Sequence, residues 1–222
     1  MPPPIRSFPA RLLVCLGLGA LPLAAHADIW TVDLVSDEND SACIPGDCSL
    51  REAIAGASAG DEIVFALPGP SPWTIRLQSG GGLGTLQVDL ALTISGPGAD
   101  LLAISGDSTG DGTGDLRVLR IATTGALAIS GLTLRDGRLT SSGDPHGGCV
   151  LAEGEGTFTA VRFENCRAWS GGVVGIGIDG GDGGAIFATT GSTLGIEACI
   201  FAGNFAGTGE ASGAPPFGRG GR

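Results

Sequence analysis

Asp107, Thr109, Asp111 and Asp115 stand at the first, third, fifth and ninth places of the run Asp107-Ser108-Thr109-Gly110-Asp111-Gly112-Thr113-Gly114-Asp115. Oxygen side chains at that spacing, with Gly112 at the place of the sharp turn, follow the ligand pattern of a calcium loop, where a hard cation gathers carboxylate and carbonyl oxygens. The twelfth place holds Val118, where such a loop has a bidentate Glu. Asp107, Asp111 and Asp115 are therefore a calcium candidate that lacks its strongest ligand, and a solvated acidic turn is the competing reading. Asp179-Gly180-Gly181-Asp182 is a similar and weaker pattern.

Acid–base chemistry has fewer candidates still. Asp144 and His146 are the one local pairing of an acid with an imidazole, and they fall in the Gly143 to Gly148 turn, where loop polarity accounts for both. Arg51 beside Glu52 fits helix capping, and Arg135-Asp136 fits a turn after a strand. No second carboxylate appears at a spacing that would suggest a glycosidase pair. No catalytic residue and no cofactor-binding residue is assigned.

Six cysteines remain to be placed. Cys43 and Cys48 bracket Ile44-Pro45-Gly46-Asp47, a turn-forming insert short enough for a small disulfide loop in an oxidising compartment. A zinc site would need further Cys or His at ligand spacing, and none is nearby. Cys149 and Cys166 have the option of pairing across adjacent repeats. Cys199 lies at an inward place of the repeat described next, as a small buried hydrophobe would, and an odd count in the exported chain leaves one thiol over.

The elements that would hold these residues emerge from a spacing that recurs. Leu127, Ile129, Leu132 and Leu134 give apolar-x-apolar-x-x-apolar-x-apolar; Gly156, Phe158, Val161 and Phe163 repeat it with a Gly first, and Leu194, Ile196, Cys199 and Phe201 repeat it in full. Alternation places each pair on one face of a strand, and the two-residue step between pairs marks a bend. Such units at periods in the twenties to forties are the pattern of a stacked solenoid, in which neighbours bury each other's apolar face. The expected columns are Ile129, Phe158 and Ile196, and Leu134, Phe163 and Phe201. A hairpin-built β-sandwich is the alternative.

Ahead of the repeat, Arg6 and Arg11, the apolar run Leu12 to Leu23 and Ala25-His26-Ala27 match the three parts of a secretory signal peptide over residues 1–27. The apolar run is too short for the roughly 20 residues that span a bilayer, so no transmembrane segment is expected in the mature chain. Two of the 12 Arg leave with the signal and none of the 23 acids does, which takes the formal charge from -11 to -13. That sign disfavours nucleic acid and anionic lipid as partners. Gly accounts for 41 of 222 residues, well over twice the usual share of about 7%, as turns between stacked strands require. There is no Lys, which removes one common catalytic and phosphate-binding group.

Between signal and repeat, Asp28 to Val35 alternates as an opening strand. Ser49 and Glu52 then form a capping box, and Leu50, Ala53, Ile54 and Ala57 make one helical stripe. A helix this short must dock, and the open first coil of the stack is the surface it would cover. Ile63 with Phe65, Ile75 with Leu77, and Val88, Leu90, Leu92 and Ile94 alternate as short strands, followed by Leu101 to Ile104 and Val118 to Ile121.

Cys48-Ser49-Leu50-Arg51-Glu52-Ala53-Ile54, followed by Gly60-Asp61-Glu62-Ile63-Val64-Phe65, resembles the signature of the bacterial CSLREA-domain family. Gly147-Gly148-Cys149-Val150, Gly183-Gly184-Ala185-Ile186 and Phe201-Ala202-Gly203-Asn204 resemble the repeats that family shares with polymorphic outer-membrane proteins. The resemblance implies a secreted or surface-exposed right-handed parallel β-helix without established catalytic residues. One departure is that Cys166 stands where the last repeat has Asn204, so an Asn ladder cannot be continuous.

The sequence thus predicts an all-β chain: a signal peptide over 1–27, an N-terminal cap with disulfide loop and short capping helix over 28–60, and right-handed parallel β-helix coils over 61–222. Gly218 to Arg222 falls where a further coil would begin, so the expectation is a longer solenoid or an edge covered by a partner. The function expected is structural, adhesive or carbohydrate-binding at the cell surface, envelope or outer membrane, with surface glycans or envelope proteins as partners. A polysaccharide lyase or glycoside hydrolase on the same scaffold is the alternative, and a calcium-stabilised module is a third. An acidic cluster and an Arg meeting in one groove would favour the enzyme.

Overall fold

The computed structural model describes residues 26–40, 43–140, 144–170 and 179–209. The expected signal peptide over 1–27, except for His26 and Ala27, and the chain end from Gly218 to Arg222 lie outside the described residues.

Strand β1 (Ile29–Val32) and helix α1 (Leu50–Gly56) precede the stack. The first coil runs through β2 (Asp61–Phe65), β3 (Trp73–Arg76) and β4 (Leu86–Val88), and the second through β5 (Ala91–Ser95), β6 (Leu102–Ser105) and β7 (Leu119–Ile121). The third holds β8 (Ala126–Ser130), β9 (Thr133–Arg135) and β10 (Val150–Ala152), and the fourth β11 (Glu155–Thr159), β12 (Arg162–Glu164) and β13 (Ile186–Ala188). Strands β14 (Thr193–Glu197) and β15 (Ile200–Ala202) open a fifth.

Every pairing between these strands is parallel and joins one coil to the next or, for β1 with β2, the cap to the first coil. Three sheets result: a first of order β1-β2-β5-β8-β11-β14, a second of order β15-β12-β9-β6-β3 and a third of order β13-β10-β7-β4. The chain is a parallel β-helix of about four turns.

The register follows the apolar columns. Ile129 pairs with Phe158 and Phe158 with Ile196, while Leu134 pairs with Phe163 and Phe163 with Phe201. Ile63 and Ile94 extend the first column toward the cap. At Gly156, the first place of its repeat, a Cβ would lie 3.0 Å from both Ile121 Cδ1 and Leu194 Cδ2 and 3.1 Å from Phe158 Cε2, so neighbouring side chains fill the volume. The bends match the two-residue steps, with Gly131, Ala160 and Ala198 all at positive φ at the corner between the first and second sheets.

One expected alternation is resolved differently. Val88, Leu90, Leu92 and Ile94 do not share a strand, because β4 ends at Val88 and β5 begins at Ala91. Asp89 and Leu90 turn the corner from the third sheet to the first, and the apolar period continues through the corner since both sheets face one interior.

The cap closes the first coil. Ser49 accepts from the Glu52 backbone N–H at 3.1 Å, and a Glu52 carboxylate oxygen accepts from the Ser49 backbone N–H at 2.9 Å. Leu50, Ala53 and Ile54 join the hydrophobic core. β1 covers the edge of β2, pinned by Asp61, whose carboxylate accepts from the Ser58 and Asp28 amides and from Trp30 Nε1 at 2.8–2.9 Å. Those donors, Ser58 first, hold the Asp61 carboxyl below its ordinary pKa. Arg51 clips the cap to the first coil through paired contacts of 2.8 Å to Asp37 and a 2.6 Å bond to the Gly84 carbonyl.

Two disulfides are present, Cys43–Cys48 in the cap and Cys149–Cys166 between the third and fourth coils. They fit an oxidising compartment outside the cytosol. Cys199 is free and only partly buried, because the described stack ends just beyond it. Among the described residues no helix is long and apolar enough to cross a membrane.

Candidate functional site

The loops from the second sheet to the third vary most in length, and they stack at one corner of the solenoid. The loop after β6 carries the acidic run and folds back on itself. Burial pushes the Asp107 carboxyl up, but bonds from the Gly112 and Gly110 amides, the Thr109 hydroxyl and the Asp111 amide outweigh it and leave the group below its ordinary pKa. Arg76 Nη1 adds an ion pair at 3.5 Å.

Asp111 instead accepts from the Thr113 amide at 2.7 Å, and Asp115 from the Ser108 amide and hydroxyl at 3.0 and 2.8 Å. The three calcium-candidate carboxylates are thus directed at separate loop donors. Among the described residues no group of three or more His, Cys, Asp and Glu side chains lies placed to hold a metal ion.

The other sequence candidates are absorbed by neighbouring coils. Asp144 pairs with Arg117 at 2.8 Å, while Arg117 also donates to the carbonyls of Gly147 and His146 at 3.0 and 2.6 Å. His146 stacks on Phe187 with ring centroids 4.3 Å apart, and its Nδ1 accepts from the Asp182 amide at 2.8 Å. The acid and the imidazole thus serve different partners. Asp179 is exposed, and Asp182 lies on the His146 side of its turn with a carboxylate oxygen 4.0 Å from Nδ1.

What the corner does assemble is a groove of about 460 Å³ lined by Gly112, Thr113, Gly114, Asp136, Arg138, Asn165 and Arg167. The acidic loop supplies one wall. Gly114 packs so closely on the Asp136 carbonyl that a Cβ would overlap it, which fixes how near the wall stands. Asp136 and Asn165, at φ 52° and 54°, occupy the same position after β9 and β12, in the left-handed region that Asp and Asn tolerate best among residues with side chains. Ser105 Oγ donates to Asp136 Oδ2 at 3.0 Å, Arg135 Nε lies 3.4 Å from the same oxygen, and Asn165 Nδ2 is 3.5 Å from Asp136 Oδ1. Gly203, the next residue in this column, has no side chain to extend the contact, and the inward side is bridged one residue further on. There Asn204 bridges inward, accepting from the Cys166 amide and donating to the Phe163 carbonyl, both at 2.9 Å.

Arg138 and Arg167 form the groove's cationic floor and bridge in parallel register, and Arg167 bridges in turn to Phe205. A second hollow of about 240 Å³, on the other side of the same two arginines, is lined by Leu139, Thr140, Ala168, Trp169 and Ser170. Another shallow hollow on the outer face of the second sheet, about 250 Å³, includes Trp73, Arg135 and Arg162, but both arginines there are already ion-paired.

Arg138, Asn165 and Arg167 were not singled out by type or motif. The signal that would have found them is the repeat itself, continued past its last apolar place: two residues beyond Leu134, Phe163 and Phe201 stand Asp136, Asn165 and Gly203, and four beyond stand Arg138, Arg167 and Phe205. Comparison with protein-family models, with curated proteins and with solved structures finds no match for this chain.

Proposed function

We propose that this chain is a secreted or cell-surface β-helix with an adhesive, glycan-binding role in the bacterial envelope. The observation that carries the reading is the corner groove, to which the loops of three consecutive coils each add residues. A channel assembled rung by rung suits an extended polymer better than a compact metabolite. The export signal over 1–27, the two disulfides and the resemblance of Cys48 to Ile54 to the CSLREA signature support a place outside the cytosol. Function rests on this site and not on the fold, which hosts many roles.

A polysaccharide lyase or hydrolase is the second reading, since Asp136 shares the groove with Arg138 and Arg167. Binding is favoured because the described lining of the groove has one carboxylate, whose oxygens already face Ser105, Arg135 and Asn165, rather than a pair. A polysaccharide screen on the mature, oxidised chain, scoring retention and release of shortened products, separates the two. Retention without products is expected. Product release would replace binding with catalysis, and neither would leave only a structural role.

A further inference from the structure

Eight arginines lie among the described residues, and six of them are ion-paired: Arg51, Arg76, Arg117, Arg120, Arg135 and Arg162 each have a carboxylate within 4.0 Å. Arg138 and Arg167 have none among the described residues. In a chain with 23 acids against 12 Arg, the two arginines left without a carboxylate are immediate neighbours, bridged on adjacent coils and both exposed. Bridged residues sit about 4.8 Å apart, and like charges directly opposite each other destabilise a sheet.

The backbone fixes that arrangement. Arg138 N donates to the Leu116 carbonyl at 2.9 Å and Arg167 N to the Gly137 carbonyl at 2.7 Å. Arg167 is further held over the Phe205 ring, 4.7 Å from its centroid. A guanidinium stacked on an aromatic ring is braced for planar, two-pronged recognition of an acid group.

We propose that Arg138 and Arg167 bind the acid groups, carboxylate or sulfate, of an acidic glycan lying in the corner groove. This deepens the glycan-binding reading and rests on it. Adjacent coils present the two guanidinium groups as a pair, so one acid group bridged between them, or two along a chain, would relieve their mutual repulsion. Thr113 and Asn165 in the groove offer hydroxyl and amide partners to sugar hydroxyls; across the two arginines, Thr140 and Ser170 offer further hydroxyls and Trp169 an apolar face for a ring. Nucleic acid fits less well. Its dense phosphate charge needs many cations, whereas this site has two within a strongly acidic chain.

The test is titration calorimetry of the mature, oxidised chain with hexagalacturonate, a heparin-derived hexasaccharide and cellohexaose at low and physiological salt. At least one acidic oligosaccharide should bind more tightly than cellohexaose, and more weakly as salt rises. Arg138→Gln and Arg167→Gln should each weaken it about tenfold, in keeping with a lost charge-assisted hydrogen bond, while Arg120→Gln should not. Thermal melts verify folding, and Arg138→Gln should melt no lower than the parent because it relieves a like-charge contact. Equal binding of cellohexaose, or acidic binding unchanged in the Arg138→Gln/Arg167→Gln double variant, would overturn this proposal and leave glycan binding standing. Failure of all three sugars to bind would overturn both.

Discussion

Phe163 and Phe201 stack face to face on adjacent coils, with ring centroids 4.8 Å apart and planes 10° from parallel, yet Phe163 is 0% exposed and Phe201 is 49% exposed. One column position therefore has two energetic values, set by whether a further coil lies above it. Phe163→Ala should cost about 3–5 kcal/mol, the usual range for an aromatic removed from a packed core. Phe201→Ala should cost less than half of that, because one face of the ring still meets water. Urea unfolding of both variants checks this, and equal costs would mean that the fifth coil is covered in solution.

The cap offers a second measurement. Asp37 is buried and takes both prongs of Arg51 at 2.8 Å, while its Oδ2 also accepts from the Gln78 amide at 2.8 Å. Asp37→Ala would strand the Arg51 charge and the Gln78 amide together, which should cost about 3–5 kcal/mol. Ser49→Ala removes the cap bond from the Glu52 amide and the 2.7 Å bond that Ser49 Oγ donates to the Glu38 carbonyl, and should cost about 2 kcal/mol. The order of the two unfolding midpoints is the readout, and a Ser49 variant as unstable as the Asp37 variant would contradict the clip.

The interior of this protein was legible because stacking forces the same side-chain type into the same column. Leu134, Phe163 and Phe201 announce their register by spacing alone, as did the capping box at Ser49 and Glu52. The acidic loop was harder to read, since a calcium pattern and a loop that caps its own amides use the same Asp and Gly residues. What separates them is where Asp107, Asp111 and Asp115 point, which depends on contacts with Arg76 and Ser108. Arg138 and Arg167 were missed because polar residues in a corner carry no periodic apolar signal. Each stands four places past the last apolar residue of its repeat, Leu134 or Phe163, so only the repeat carried beyond that residue aligns them.

Asp107 makes the acid limb of stability predictable. Its folded carboxyl lies below its ordinary value, so the unfolded chain binds the proton first and stability rises with pH across that gap. The contribution is complete above the unfolded pKa of about 3.9 and is lost as pH falls through the folded value. Asp107→Asn should flatten that part of the acid titration of the melting temperature and lower stability at neutral pH. A variant whose acid limb matches the parent would show that other carboxylates, such as Asp61, set it.

The disulfide between Cys149 and Cys166 closes a loop with a sequence separation of 17 and ties the third coil to the fourth. A loop of that size is worth about 3 kcal/mol in the chain-entropy account. Because each coil touches only its neighbours, that loss should be local to one end of the stack. The double variant Cys149→Ser/Cys166→Ser leaves the Cys43–Cys48 bridge of the cap intact, which simple reduction would not. Hydrogen exchange should then accelerate in β12 to β15 while β2 to β8 keep their protection. Acceleration spread evenly from cap to last coil would mean that the solenoid opens as one cooperative unit, and the bridge would then act on the whole chain instead of on one joint within it.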